Sequence, residues 1–157
     1  MAEGDSFAVA DMSEAYAGQK VTRGMKILRA SGSILLQDEI ECEKTDVIRW
    51  SAHTPAAVRL YESGKAAVLD MDGTKMYVAL LADGCFEVRA AAADERSPYV
   101  YNPNAPSVGN AENKGVQKLV VSLSGKSAYR IAFWMIPLAG ECAHLTEKPV
   151  IKPLAIW

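Results

Sequence analysis

Short apolar segments recur along the chain, and turn residues interrupt them every ~8–12 residues, a rhythm that is typical of β-sandwiches and barrels. Polar and apolar positions alternate within residues 45–53, so that one face carries Val47, Arg49, Ser51 and His53 and the other carries Ile48, Trp50 and Ala52. Such alternation fits a strand, because successive side chains of a strand point to opposite faces. No long segment repeats its apolar positions at helical spacing. The sequence therefore predicts an all-β fold, an antiparallel two-sheet β-sandwich of about ten strands.

The predicted strands lie at residues 7–10, 21–28, 33–40, 45–53, 56–61, 66–69, 75–81, 85–90, 116–123 and 129–136. We expect the last two to form a hairpin around the turn residues Ser124-Gly125-Lys126-Ser127. The polar segment 94–115, rich in Pro and Asn, is long for a compact domain and indicates a functional or a disordered loop. The predicted division is a β-sandwich domain at residues 1–140 and a C-terminal extension at 141–157 packed on the sandwich.

Length and charge exclude several function classes. The chain has 157 residues, enough for one domain with one core, and a net charge of -2. No long basic tract is present, so nucleic acid is not an expected partner. No apolar run has the length needed to cross a bilayer, so a membrane is not expected either. The N-terminus lacks the basic and apolar regions of a secretory signal.

Two apparent ligand motifs fail on spacing. Asp70-Met71-Asp72-Gly73 begins like a calcium loop, but the twelfth position, where a Glu is needed, is Leu81. Asp72-Gly73 instead predicts a tight hairpin turn. Gly125-Lys126-Ser127 resembles the end of a phosphate-binding loop, but the earlier Gly that the motif requires is Val120.

The residues that most often carry chemistry form no complete active site. Cys42, Cys85 and Cys142 are odd in number and lack C-x-x-C spacing, so we expect buried free thiols. The chain has two histidines. Taken alone, His53 on its alternating strand fits a structural role or a ligand, whereas His144 in the Pro-flanked tail is expected to be solvated. No catalytic residue is predicted within this chain.

Four segments, in their order, resemble the C-terminal β domain of the heparinase II/III family of polysaccharide lyases. They are the strand 5–11 that ends in Asp11 and is followed by Tyr16, the apolar strand 34–40 that carries Asp38-Glu39, the strand with the pattern Trp50-x-x-His53-Thr54, and the closing residues 148–157. The similarity covers nearly all of the chain. It implies that the chain is the β part of a larger lyase.

The resemblance implies β-elimination of an acidic, uronate-containing polysaccharide by the parent enzyme. In the family, a Tyr, a His and an Asn of the eliminating site lie on an N-terminal α-toroid domain, and a further His lies in a His-x-His stretch ahead of the strand that matches Phe7. The expected partner is therefore the toroid of the same chain. The resemblance also implies a periplasmic or secreted parent protein, and it leaves a homodimer open.

Family members of the heparinase II type hold a structural zinc ion with His, Asp and His ligands. By resemblance, the Asp corresponds to Asp11 and the second His to His53. The first His belongs to the stretch that has no match in this chain. The expectation is zinc in the full-length protein and none in this chain alone, with Asp11 and His53 close in space.

Two other functions stay open from the residues alone. One is a free-standing carbohydrate-binding sandwich, which would expose aromatic side chains such as Tyr99, Tyr101 and Trp134. The other is a structural module without a ligand.

Overall fold

The computed structural model of the chain describes residues 4–16, 18–91, 113–138 and 147–157, with the backbone alone at 45 and 46. Eight strands lie in these ranges: β1 Ser6–Asp11, β2 Gln19–Leu28, β3 Ser33–Thr54, β4 Ala57–Tyr61, β5 Ala66–Met71, β6 Thr74–Leu80, β7 Phe86–Ala90 and β8 Gln117–Leu138. Short 3₁₀ turns occur at Ser13–Ala15, Glu62–Gly64 and Leu154–Ile156, and these ranges contain no α-helix. The predicted all-β, antiparallel fold class is confirmed. No helix within the described residues has the length and apolarity to span a bilayer.

Every strand pairing in the sheet is antiparallel, and the order is β1-β2-β3-β8-β6-β5-β4. The two longest strands, β3 and β8, pair with each other twice. Residues 34–41 of β3 pair with 128–135 of β8, and residues 48–54 pair with 117–123. β6 flanks the C-terminal half of β8, and β7 flanks its N-terminal half. The same two strands therefore take part in two layers. The first layer contains residues 34–41 of β3 and 128–138 of β8 with β1, β2, β4, β5 and β6, and the second layer contains residues 46–54 of β3 and 117–126 of β8 with β7.

The predicted hairpin between 116–123 and 129–136 is wrong, because both segments belong to the single strand β8. The ladder between β3 and β8 shifts register between Glu41 and Ile48, at the level where β8 carries its turn residues. Gly125 has a φ of 87° there, a conformation that suits glycine. Irregularities of this kind bend a strand without ending it. The turn residues thus bend β8 alongside β3, and the merging of predicted strands leaves eight strands within the described ranges.

The bend folds the sheet onto itself and creates the main core. Trp50 pairs with Val121 in the ladder and Phe133 pairs with Leu36, yet the rings of Trp50 and Phe133 stack at 3.9 Å between centroids. Phe86 of β7 also stacks on Phe133, at 5.9 Å. Side chains from both halves of β3 and β8 therefore pack against each other as two layers.

A second apolar cluster covers the opposite face of the first layer, with Ala66, Tyr77, Ala79, Trp134 and Ile136 at its centre. The C-terminal residues lie against the same face of the sheet. A side chain at Gly24 would meet Leu154 and Trp157, and Gln37 donates a hydrogen bond to the backbone oxygen of Lys152 at 2.9 Å. Both faces of the first layer are thus partly covered.

The Asp72-Gly73 turn joins β5 to β6 with φ angles of 52° and 85° at its two residues. Positive φ at both central residues is the requirement of a tight type I′ hairpin. The amide of Gly73 donates a hydrogen bond to Oδ1 of Asp70 at 3.0 Å. The hairpin interpretation of this motif is confirmed.

Candidate functional site

Asp11, the first predicted metal ligand, is the last residue of β1 and is exposed. Its Oδ1 accepts hydrogen bonds from the Ser13 hydroxyl at 2.5 Å and from the Ser13 amide at 2.9 Å. These bonds favour the ionised form and lower the pKa of Asp11. The carboxylate is therefore accessible and charged, as a metal ligand must be.

His53, the second predicted ligand, lies one residue before the end of β3 and is exposed. It pairs with Lys118 across the ladder in the second layer, whereas Asp11 pairs with Thr22 in the first. The described residues contain no group of three or more His, Cys, Asp or Glu side chains that could hold a metal ion. A carboxylate and an imidazole are ordinary zinc ligands, but two ligands do not complete a structural zinc site. The proximity of Asp11 and His53 stays a prediction.

The expectation of buried thiols is wrong for Cys85, which is exposed, while Cys42 is partly buried. Cys85 directly follows the turn at Gly84 and precedes Phe86, the buried first residue of β7. Adjacent residues of an extended chain face opposite ways, so the burial of Phe86 leaves Cys85 outside.

The aromatic residues considered for sugar binding give one clear result. Trp134 is buried at 2% exposure, and its indole N–H donates a hydrogen bond to the Ser33 hydroxyl at 2.9 Å. A ring in this position cannot serve as an exposed sugar platform. Tyr99, Tyr101, His144, Cys142 and nearly all of the segment 94–115 lie outside the described residues.

A cleft of about 350 Å³ opens between the two layers, and sequence reasoning missed it. One wall comes from β2 and the first half of β3, and the other comes from the second half of β3. Its lining residues are Tyr16, Gln19, Val21, Arg23, Asp38, Ile40, Val47, Ile48, Arg49, Trp50 and Ser51. We call this region the interlayer cleft.

An arginine held by a buried carboxylate dominates the interlayer cleft. Nε and Nη2 of Arg23 donate to the two carboxylate oxygens of Asp38, each at 2.7 Å. The Asp38 side chain is 2% exposed, whereas that of Arg23 is 38% exposed. The hydrogen bond to Asp38 raises the pKa of Arg23, so its charge is permanent.

The Arg23–Asp38 pair is reflected in the sequence as charged residues within apolar strand faces. In the ladder Arg23 pairs with Asp38, and the neighbouring pair on the same face is Val21 with Ile40, both buried. One charged residue therefore interrupts the apolar face of each strand, Arg23 on β2 and Asp38 on β3. Matching the two interruptions requires the register of β2 against β3, which the sequence pattern alone does not supply.

The remaining lining of the interlayer cleft combines hydrogen-bonding groups with an aromatic wall. Tyr16 and Gln19 bring a hydroxyl and an amide group, and Trp50 forms part of the wall. The indole N–H of Trp50 is buried and has no acceptor among the described residues. Because a guanidinium cannot accept a proton, Arg23 suits the binding of an anion rather than proton transfer.

Comparison with known proteins places the fold. The chain is similar to a crystal structure of heparinase III, with a TM-score of 0.58, 13% identity and 88% of this chain covered. A heparinase III with methylated lysines gives a TM-score of 0.56 and 14% identity over 87% of the chain. No family model and no curated protein sequence matches. The chain spans 20% of the length of each heparinase III structure, and it shares the fold of that part.

Proposed function

We propose that this chain is the C-terminal β-sandwich domain of a heparinase II/III-like polysaccharide lyase. The observation that carries the proposal is the pair of coverages, because 87% of this chain matches only 20% of a heparinase III. A domain of a larger enzyme gives this asymmetry, and the resembling segments around Asp11, Asp38 and His53 all lie on strands of the matched fold. The family assignment implies elimination of a uronate-containing acidic polysaccharide by the parent enzyme.

In this proposal the chain supports catalysis that another domain performs. β-Elimination needs a base for the proton beside the uronate carboxylate and donors that stabilise the resulting negative charge. Preorganised donors supply the larger part of such catalysis, and proton transfer contributes roughly 10²–10⁴-fold. By resemblance most of these groups lie on the N-terminal α-toroid, and one further His lies in the His-x-His stretch ahead of β1.

The first experiment has two parts. The genomic reading frame upstream of this chain is determined, and the full-length protein and the isolated chain are assayed for lyase activity. We expect a helical region of several hundred residues upstream, ending in a His-x-His stretch before the strand β1. The full-length protein should release unsaturated uronate products, which absorb ultraviolet light, and the 157-residue chain alone should release none. A reading frame without the helical region would contradict the domain assignment. Product release by the isolated chain would contradict the proposal that another domain performs catalysis.

A structural zinc ion in the full-length protein is part of the proposal, with Asp11 and His53 as two of its ligands and the third supplied by the His-x-His stretch. The metal would hold strands distant in sequence together. Metal analysis should find zinc in the full-length protein and a reduced content in both D11A and H53A. An unchanged zinc content in both variants would refute this ligand set.

Two further expectations concern the parent protein in the cell. The family assignment implies a periplasmic or secreted enzyme, which cell fractionation with an antibody against this domain can test. It also admits a homodimer, and sedimentation of the full-length protein at several concentrations would distinguish a dimer from a monomer.

A further inference from the structure

We propose that the interlayer cleft is a subsite for one uronate sugar, and that Arg23 binds its carboxylate. This inference rests on the proposed function, because that function makes uronate polymers the relevant ligands. It adds a binding role for this domain, which would otherwise serve only as a scaffold. The argument depends on the geometry of Arg23, on its support by Asp38 and on the groups around them.

The guanidinium of Arg23 has N–H donors that its two bonds to Asp38 do not use. A guanidinium carries five N–H groups, and the bonds to Asp38 use one on Nε and one on Nη2. The groups on Nη1 and the second N–H of Nη2 face away from the carboxylate that holds the side chain. Because the side chain is 38% exposed and lines the cleft, a ligand oxygen can reach these donors. Arginine is the residue best suited to planar recognition of a carboxylate.

Asp38 acts as a positioning residue in this arrangement. It is buried on the first layer and binds Arg23 through both oxygens, so the guanidinium is held before any ligand arrives. A donor that is already fixed loses less conformational entropy on binding. The pair itself is neutral and its carboxylate is buried, so an arriving carboxylate meets the donors of Arg23 without meeting an exposed anion.

The rest of the interlayer cleft suits a sugar ring. Its volume of about 350 Å³ is at the lower end of the range of ligand pockets, which fits one monosaccharide unit. Tyr16 and Gln19 carry a hydroxyl and an amide group that can exchange hydrogen bonds with ring hydroxyls. The buried indole N–H of Trp50 has no acceptor within the described part of the chain, and native proteins rarely leave such a donor unsatisfied. A small movement on binding would give it a ligand or water oxygen.

The test measures binding to the 157-residue chain by calorimetry and by NMR of the tryptophan indole N–H groups. The probe is a tetrasaccharide of alternating glucuronate and N-acetylglucosamine. Its counterpart with each carboxylate reduced to an alcohol tests the carboxylate, and inorganic sulfate tests a general anion site. The W50F variant identifies the Trp50 signal, and the buried Trp134 serves as the internal reference. We expect the Trp50 signal to shift with the uronate probe while that of Trp134 stays in place.

Variants then assign the binding to Arg23. Removing Arg23 alone would leave Asp38 buried without its partner, so the variant of choice is R23M/D38L, which replaces the pair by apolar residues of similar size. The conservative R23K keeps a charge but loses the planar donors. We expect about a tenfold or greater rise in Kd for both variants, as for loss of a charge-assisted hydrogen bond. R59A, at an exposed position of β4 outside the cleft, is the matched control and should bind normally.

Each outcome bears on the proposal. Binding that weakens with carboxyl reduction and with R23M/D38L, but not with R59A, supports it. Equal binding of the reduced probe, equal binding by R23M/D38L, or an unmoved Trp50 signal would overturn it, as would sulfate binding as tight as that of the uronate. No binding at millimolar probe would overturn it as well. The proposed function would stand through all of these results, because the reading frame and the full-length activity test it separately.

Discussion

Gly24 on β2 should be coupled energetically to Leu154 in the C-terminal segment. Among the described glycines, Gly24 is the one whose backbone φ is not positive, so its backbone conformation does not require glycine. A Cβ built there would collide with Cδ2 of Leu154 and would lie 3.0 Å from Cζ3 of Trp157. Glycine is therefore needed at this position for space, because the C-terminal segment packs directly on the strand.

The sizes of two opposing contributions decide whether G24A raises or lowers the free energy of unfolding. Replacing glycine by alanine in a strand stabilises a protein by roughly 0.5–1 kcal/mol when nothing obstructs the new methyl group. Overpacking costs about 1–3 kcal/mol, so we expect a net loss of about 1 kcal/mol in the free energy of unfolding. Leu154 is buried, and L154A should cost about 2 kcal/mol, at the low end for a leucine because the segment is short. In the double variant the colliding atom is gone, so we expect it to be about 1–2 kcal/mol more stable than the sum of the single effects.

Urea unfolding of the four proteins in this cycle measures the coupling. For a slope of about 2 kcal/mol per molar urea, a coupling of 1 kcal/mol moves the midpoint by roughly half a molar. A control cycle of T74A with L154A should be additive, because Thr74 is exposed at the start of β6. If G24A and L154A add within about 0.5 kcal/mol, the packing of the C-terminal segment on Gly24 is not as described.

Three further predictions concern single residues. Burial and a hydrogen bond to Glu62 raise the pKa of Tyr77 from 10.0 to about 12, so stability should fall as the pH rises from 10 to 12, where only the unfolded chain loses the proton. Y77F should lack this step, a difference on the order of 2 kcal/mol in alkaline urea unfolding, and equal slopes for both proteins would contradict it. In K126A the pKa of Asp83, which the hydrogen bond from Lys126 lowers, should rise towards 3.8 in an NMR titration, and an unmoved pKa would argue against the bond. G73A should lose about 1–2 kcal/mol in urea unfolding because its φ of 85° is unfavourable with a Cβ, and an unchanged midpoint would refute the turn type.

The sequence predicted those parts of the fold that depend on local pattern. The alternation at residues 47–53, the Asp72-Gly73 hairpin and the lack of helical spacing each reflect a preference within a few residues. The continuity of β8 could not be read in this way. Ser124-Gly125-Lys126-Ser127 has the composition of a turn, and only pairing with the bent strand β3 makes it part of a strand.

In the candidate site, too, some features follow from the sequence and others depend on how the strands pair. Asp11 and His53 were proposed through resemblance, and the structure shows both to be exposed. Arg23 lies fifteen residues from Asp38 along the chain, and nothing in the local pattern pairs them. Their contact depends on the register of β2 against β3, which turn geometry and the buried face fix together. The resemblance therefore supplied the two candidate ligands, whereas the strand register brings together the residues of the interlayer cleft.

The bent sheet explains why a charged pair can exist beside the core. Seven strands contribute to the first layer, but the described part of the second layer has only β3, β8 and β7. The second layer therefore leaves part of β2 uncovered on its inner face, where Met25 and Ile27 are 48% and 47% exposed. Arg23 lies between this open part and the covered core, so its charge keeps contact with solvent while Asp38 is buried. A complete second layer would bury both charges at a high desolvation cost. The unequal layers thus create the interlayer cleft and avoid the desolvation cost of burying the charge of Arg23.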